Sequence, residues 1–421
     1  MLSASIVVPQ IYAALPIVAA GLVFWRARRT KNLNVIRELI VTCVAGAAGG
    51  LAVAAIYMQN VDGHVPVAQV AITCYWGIAV ACLLRAFNAL LAWGAARIMT
   101  WGGEAQKGRW LIGVELSIIR AVLLLAVVVP YVGAMLLTYR PHIVHPGTPM
   151  SILGMDYQDV TFTATDGMRL HGWWIPSAHT ADTDDEHPPA TWGERTIILC
   201  HGFGADKASQ LRLVRDLAPN GFNVLAFDFR GHGESGGQFT SFGDIERRDV
   251  LGAVRWVRKN HPNEARKIFG VGESLGAAAL ICAAGDESAE GQAIDAVAVF
   301  APYDRLSGVI QDVADAHFIP KAGWIARHLS LPLAGAQLGA PLSHFEPIRE
   351  VDKIAPRPLL VIASEQDHVI DSARSRDLYE RASQPKYGYW LKKGTRETML
   401  FQSDNASLAL RIFFESARDI L

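Results

Sequence analysis

Two patterns of apolar residues divide this chain near residue 140. Before that position, four long segments contain no charged side chain: 3–25, 39–60, 65–84 and 121–139. The hydrocarbon core of a bilayer is about 30 Å thick and needs about 20 residues at helical rise, so each segment is long enough to cross it. Four such segments in succession are not typical of buried helices in a soluble domain. We therefore predict transmembrane helices at about 3–25, 39–60, 65–84 and 119–139.

After residue 156 the apolar runs become short and rich in β-branched residues. This pattern predicts strands at 195–200, 223–229, 267–271, 358–364 and 387–391. The segment 244–260 places Ile245, Val250, Val254 and Val257 at helical spacing, which predicts a helix that covers the sheet. Strands that alternate with helices predict an α/β fold with a doubly wound, mostly parallel sheet. The loops at the carboxyl ends of its strands are then the expected location of a functional site.

These patterns predict three parts: a transmembrane region at 1–140, a linker at 141–155 and an α/β domain at 156–421. Within the domain, the segment 177–193 is acidic and contains prolines. Because it lacks the residue spacing of a calcium-binding loop, we predict an exposed hairpin there. The segment 303–350 is predicted to be an insertion between two strands, with apolar residues that suit either an acyl pocket or packing on the sheet.

The distribution of charge predicts the orientation in the membrane. The chain has a net charge of −1 and 19% charged residues, and its apolar excess lies before residue 140. Basic residues cluster after the first and third segments: Arg26, Arg28, Arg29, Lys31 and Arg37, then Arg85, Arg97, Lys107 and Arg109. The positive-inside rule places both clusters in the cytoplasm, so the amino terminus and the α/β domain are predicted to be extracytoplasmic. A cleaved signal peptide is not favoured, because the basic residues follow the first segment.

The segment Gly270-Val271-Gly272-Glu273-Ser274-Leu275-Gly276 carries the most specific chemistry. A predicted buried strand precedes it, and an alanine-rich predicted helix follows it and ends at Gly285. Glycines on both sides of a serine allow the sharp turn between strand and helix, since they remove Cβ atoms that would collide. This context predicts that Ser274 is a nucleophile with its hydroxyl at the edge of the sheet.

The ordered motifs from about 156 to 421 resemble the α/β-hydrolase superfamily, particularly its serine aminopeptidase type. They are the strand that enters His201-Gly202-Phe203-Gly204, the Ser274 turn, and the strand that ends before Asp367. The resemblance implies that the backbone N–H groups of Phe203 and Leu275 form an oxyanion hole and that Asp367 is the acid of a catalytic triad. It also implies that the insertion at 303–350 is a cap over the nucleophile.

The histidine of such a triad is missing from its expected position. It should follow the strand at 387–391, but Arg396 and Glu397 stand there, and no histidine occurs after His368. The open alternatives are an inward-facing His368 or a histidine of the cap: His317, His328 or His344. Glu397 is a weaker candidate base, because an unperturbed glutamate has a pKa near 4.3. We interpret His201 and His232 as residues that shape their loops.

Two classes of function follow from these residues. The first is a membrane-anchored serine hydrolase that cleaves an ester, thioester or amide through an acyl group on Ser274. The second is a binding or regulatory protein on a hydrolase scaffold that lacks the proton relay. The presence of Ser274, the turn glycines and Asp367 favours the enzyme. The expected partners are an acyl or lipid substrate and the bilayer; no metal, cofactor or nucleic acid is expected, and the sequence does not indicate an oligomeric state.

Overall fold

The computed structural model describes scattered helical positions between 37 and 126, and residues 129–140, 142–177, 193–317, 322–392 and 404–420. The predicted span at 3–25 lies outside the described residues, as do large parts of the other three predicted spans and most of the predicted hairpin at 177–193. Among the residues that are described, no helix combines enough length and apolar character to cross a membrane.

The chain separates into two compact units. The first contains the described residues up to Leu137 together with Trp324–Gly339. In this unit Arg85 pairs with the Glu38 carboxylate and also donates hydrogen bonds to the Glu38 carbonyl and the Thr42 hydroxyl, both at 3.0 Å. Gly46 packs so closely that a Cβ atom there would lie 2.6 Å from the Gly77 carbonyl oxygen. Two helical stretches around these residues are therefore in direct contact.

The second unit, Thr138–Gly323 with Ala340–Leu421, contains a single eight-stranded sheet. The strands in chain order are β1 (Gln158–Thr163), β2 (Arg169–Ile175), β3 (Arg195–Cys200), β4 (Asn223–Phe227), β5 (Lys267–Glu273), β6 (Ile294–Phe300), β7 (Leu359–Ser364) and β8 (Lys386–Leu391). Their order across the sheet is β1-β2-β4-β3-β5-β6-β7-β8. The strand β2 pairs antiparallel with β1 and β4, and the pairs from β4 to β8 are parallel. The predicted mostly parallel α/β sheet is confirmed.

The α-helices longer than one turn are numbered here in chain order from residue 193 onwards. They are α1 (Leu211–Leu217), α2 (Arg247–Asn260), α3 (Leu275–Ala284), α4 (Leu306–His317), α5 (Leu331–Leu338), α6 (Ser372–Arg381) and α7 (Asp404–Ile420). Shorter helical turns are Pro149–Leu153, Lys207–Gln210, Ala218–Asn220, Ala322–Ile325, Ala326–Ser330, Leu342–His344, Pro347–Arg349 and Val351–Ile354. Before them, residues 129–138 are helical.

The core of the second unit lies on both faces of the sheet. One cluster contains α2 and α3 residues such as Val254 and Leu280, and the other contains Leu213, Val214 and Phe414 from α1 and α7. Most side chains of β3, β4 and β7 are buried on both faces, as their near-continuous apolar sequences predict. Helices on both faces therefore hold the sheet rigidly, and the loops at its carboxyl edge are built on a fixed base.

The predicted helix at 244–260 begins later than expected, at Arg247. The buried Glu246 carboxylate accepts hydrogen bonds from the N–H groups of Ser241 and Gly243, each at 2.8 Å, and from the Thr240 hydroxyl at 2.9 Å. These bonds fix residues 240–246 as a turn, so Ile245 lies before the helix instead of on its sheet-facing side. The other predicted apolar positions, Val250, Val254 and Val257, are buried on α2.

Candidate active site

Ser274 occupies the turn between β5 and α3. Its φ of 50° and ψ of −105° lie outside the regions that L-residues ordinarily adopt. The turn is held on both sides, because the Ser274 N–H donates to the Phe300 carbonyl at 2.9 Å and its own carbonyl accepts from the Ala278 N–H at 3.0 Å. Strain of about 1–3 kcal/mol persists only where surrounding structure imposes it, and such positions cluster at functional sites. The predicted strand–turn–helix context of the serine is present.

The glycines around Ser274 permit a close approach of backbones. A Cβ atom on Gly276 would lie 2.1 Å from the Cys200 carbonyl oxygen, at the end of β3. A Cβ atom on Gly272 would lie 2.5 Å from the Gly276 carbonyl oxygen. Real Cβ atoms do not approach so closely, and backbone atoms cannot move aside as a flexible side chain can. These two glycines therefore bring the amino end of α3 against the loop that follows β3.

Two buried histidines shape the loops beside Ser274. His201 accepts a hydrogen bond at Nε2 from the Phe229 N–H (3.0 Å), so its Nδ1 is the donor to the Gly202 carbonyl (2.8 Å). His232 lies with Nδ1 3.0 Å from the Arg230 carbonyl and accepts at Nε2 from the Gly204 N–H (3.4 Å). Burial lowers the pKa of His201 and lowers that of His232 further. Both rings are neutral and occupied by backbone groups, in agreement with their interpretation as loop-shaping residues.

Asp367 lies in the loop that follows β7. Its carboxylate oxygen Oδ1 accepts hydrogen bonds from the N–H groups of Val369 and Ile370, at 2.8 and 3.0 Å. Its own N–H faces the Ser364 carbonyl at 3.3 Å. These bonds fix the turn and the carboxylate together. The neighbouring His368 side chain is exposed to solvent.

The segment expected to carry a base begins next to this loop. The strand β8 pairs with β7 in parallel, and the Leu391 carbonyl at its end accepts from the Glu365 N–H at 2.9 Å. Arg396 and Glu397 lie outside the described residues, and their positions remain predictions. Within the part of the chain that the structure describes, no imidazole donates to or accepts from the Ser274 hydroxyl.

The histidines of the predicted cap are exposed. His317 Nδ1 lies 3.0 Å from the Val313 carbonyl on α4, and His344 lies on the helical turn Leu342–His344. His328 belongs to the first unit, where its Nδ1 lies 3.0 Å from the Trp324 carbonyl and its ring stacks on Trp324. The predicted insertion at 303–350 is thus divided between the two units. Among the described residues, no group of three or more histidine, cysteine or carboxylate side chains is arranged to hold a metal ion.

The sequence did not predict a group of residues that contacts the loop after β3. Arg140 places its guanidinium carbon 3.5 Å from the centre of the Phe203 ring. His145 donates its N–H to the Asp206 carboxylate at 2.7 Å and lies 3.1 Å from it at Nδ1. Although burial disfavours the charged form of Asp206, these contacts with His145 lower its pKa. In the sequence, Arg140, His142 and His145 lie close together at the boundary between the predicted transmembrane region and the predicted linker.

The part of the chain that contains Ser274 matches a known protein family. Residues 193–343 match the protein family described as Serine aminopeptidase, S33. The uncharacterized protein YfhR of Escherichia coli O157:H7 is 30% identical over 230 residues, which cover 54% of this chain and 69% of YfhR. The uncharacterized protein YqkD of Bacillus subtilis (strain 168) is 30% identical over 247 residues, which cover 55% of this chain and 75% of YqkD.

A solved structure shares the same fold. The esterase Pf2001 of Pyrococcus furiosus superimposes with a TM-score of 0.51 at 24% identity, over 66% of this chain and 98% of the esterase. Three observations indicate the same family: the order of the strands in the sheet, the turn that carries Ser274, and the similarity to YfhR and YqkD over more than two thirds of their length. The chain therefore belongs to the serine aminopeptidase S33 family of α/β-hydrolases.

Proposed function

We propose that this protein is a membrane-anchored serine hydrolase that cleaves an ester, thioester or amide of a small acyl or lipid substrate. The observation that carries the proposal is the backbone of Ser274, which is held in a strained conformation at the start of α3. A serine in that position presents its hydroxyl at the carboxyl edge of the sheet, beside the amino terminus of a helix. The partial positive charge there stabilises negative charge that develops during attack.

In the proposed reaction, the Ser274 oxygen attacks the substrate carbonyl and loses its proton. The carbonyl oxygen becomes an oxyanion, which the N–H groups of Phe203 and Leu275 stabilise. The C–O, C–S or C–N bond to the leaving group then breaks, and the leaving group takes up a proton. Water attacks the acyl-serine in a second step and releases the acid.

The proton relay decides how fast this reaction proceeds. Asp367 is proposed as the acid, and its carboxylate is fixed by two backbone N–H groups. The relay also needs a base that bonds both to Asp367 and to Ser274. The histidine that usually fills this role is absent from its expected place in the sequence. In subtilisin, loss of the catalytic histidine costs about 10⁶ in turnover, or roughly 8 kcal/mol. This missing residue supports the alternative function, a protein that binds acyl compounds and turns them over slowly.

Covalent labelling distinguishes the two functions. The purified protein in detergent is incubated with a fluorophosphonate, an activated probe that phosphonylates reactive serines. We expect labelling of the wild-type protein and of Ser383→Ala, which removes an exposed serine, and no labelling of Ser274→Ala. A folded wild-type protein that takes up no label would contradict the hydrolase and leave the binding function.

The first unit supports membrane anchoring. Glu38 pairs with Arg85, and Gly46, further along the first helical stretch, packs against Gly77, which comes before Arg85 on the second. The two stretches therefore run antiparallel, with small residues where they meet. On the first stretch Ile40, Val41 and Val44 are 58–64% exposed. An exposed apolar face of this kind suits a lipid environment. Glu38 lies at the start of the second predicted span and Arg85 at the end of the third. The distribution of basic residues assigns both of these ends to the cytoplasm.

The proposed topology places the hydrolase domain outside the cytoplasm. A fusion of alkaline phosphatase to Leu421 should therefore be active in cells, because this reporter folds only after export. A fusion of green fluorescent protein at the same residue should stay dark. The two reporters are each other's control. Bright fluorescence together with an inactive phosphatase would reverse the orientation.

A further inference from the structure

We infer that Arg140 is a positioning residue of the proposed active site, holding Phe203 so that the backbone of the oxyanion-hole loop stays fixed. The inference rests on the proposed function for its catalytic consequence only. Phe203 lies in the loop between β3 and the helical turn Lys207–Gln210, and its side chain is 39% exposed. A large apolar side chain that is partly exposed needs partners if it is to keep one conformation.

Both faces of the Phe203 ring are covered. The Arg140 guanidinium carbon lies 3.5 Å from the ring centre. On the other side the Phe242 ring is nearly parallel, at 4.9 Å between ring centres and an angle of 10°. The negative face of an aromatic ring attracts a guanidinium, and this attraction is stronger when the cation is shielded from water. Arg140 is buried, so its contact with Phe203 is of the stronger kind.

Each partner of Phe203 is itself held in place. The Arg140 N–H donates to the Gln238 carbonyl at 2.8 Å, and the Thr240 N–H donates to the Thr138 carbonyl at 2.8 Å. Arg140 thus extends from a short antiparallel pairing of chain segments. Phe242 has a φ of 60°, and its carbonyl accepts a hydrogen bond from the Tyr303 hydroxyl. The ring of Phe203 therefore rests between two supports that have little freedom to move.

The same chain segment also holds the far end of the loop. His145 bonds through its N–H to the Asp206 carboxylate, whose other oxygen accepts from the N–H groups of Ala208 and Ser209 at 3.1 and 3.3 Å. Between these points, His142 places its two ring nitrogens 2.9 and 2.5 Å from the carbonyls of Gly233 and Gly237. Arg140 and His145 thus contact the oxyanion-hole loop at Phe203 and Asp206, and His142 contacts the loop that follows β4. Arg140 is the contact nearest to the proposed donor N–H.

Hydrogen exchange of the loop tests this role without reference to activity. The full-length protein in detergent micelles is compared with Arg140→Ala, Arg140→Lys and the control Arg215→Ala, which removes an exposed arginine of α1. We expect the amides of Phe203 and Gly204 to exchange about tenfold faster in Arg140→Ala, as loss of a desolvated cation–π contact implies. Lysine keeps the cation without the planar stack, so about two- to threefold faster exchange is expected there. Exchange in Arg215→Ala should match the wild type.

Labelling by the fluorophosphonate provides the functional reading. If Ser274 reacts in the wild type, the rate of labelling should fall in the same order as loop exchange rises, with Arg140→Lys between wild type and Arg140→Ala. Wild-type exchange of the loop in Arg140→Ala would overturn the inference. If alanine loosens the whole domain, Arg140→Lys decides: faster exchange confined to the loop supports the inference, and wild-type exchange overturns it. An unlabelled wild type with locally faster exchange in Arg140→Ala would reject the hydrolase and retain the positioning role.

Discussion

Replacing Glu397 with histidine is expected to raise hydrolysis of p-nitrophenyl acetate by about 10²–10⁴-fold, the contribution of a positioned general base. The strand β8 ends at Leu391, which bonds to Glu365, two residues before Asp367. The residues that follow β8 therefore start beside the proposed acid. A histidine in this segment would donate a hydrogen bond to Asp367 from one ring nitrogen and accept the proton of Ser274 at the other. Arg396→His is made separately, because either position could provide the correct reach.

Matched variants isolate the contribution of the imidazole. Glu397→Gln and Arg396→Gln remove the original side chains without adding a base, and neither should reproduce the gain. Combining the successful histidine variant with Ser274→Ala should remove the gain, since the base acts through the serine. Folding is checked by circular dichroism and urea unfolding. No gain at either position in a folded protein would show that more than a base is missing, and would favour the binding function.

The sequence predicted the central strands and the turn of Ser274 because both depend on local patterns. Short runs rich in β-branched residues, such as Thr196, Ile197 and Ile198 in β3, favour a buried strand. The glycines near Ser274 indicate that two backbone segments approach each other closely there. The start of α2 was missed for a physical reason. Glutamate is a good helix former, so the sequence pattern placed Glu246 inside the helix. Its carboxylate is buried instead and accepts hydrogen bonds from the Ser241 and Gly243 N–H groups in the turn before the helix.

The support of the oxyanion-hole loop could not be predicted from local patterns. Arg140, Phe203 and Phe242 are far apart in the sequence, and only the tertiary structure brings their side chains together. An arginine that stacks on an aromatic ring has no characteristic spacing in the sequence.

Two buried ion pairs were likewise not predictable from sequence spacing. Buried Lys207 lies 2.8 Å from the Asp228 carboxylate, and Arg230 lies 2.5 Å from that of Asp249. In Asp249, burial raises the pKa to about 6 even though Arg230 opposes this shift.

Accumulation of an acyl-enzyme is the second large expected effect. An activated ester such as p-nitrophenyl acetate has a good leaving group, so its reaction with Ser274 depends less on a base than the reaction of an amide does. Release of the acetyl group requires water to be activated, which is a task of the general base. Without a histidine the second step should be slower than the first. We therefore expect a burst of nitrophenol that approaches one equivalent per protein, followed by slow turnover.

The measurement that tests the nucleophile most directly is the mass of this intermediate. The protein is mixed with p-nitrophenyl acetate, quenched in acid, digested and analysed by mass spectrometry, with Ser274→Ala and Ser383→Ala treated in parallel. The proposed mechanism predicts one acetyl group, on the peptide that contains Ser274, in the wild type and in Ser383→Ala but not in Ser274→Ala. An unmodified Ser274 in folded protein, or an acetyl group confined to other residues, would contradict the proposal that Ser274 is the nucleophile of a hydrolase.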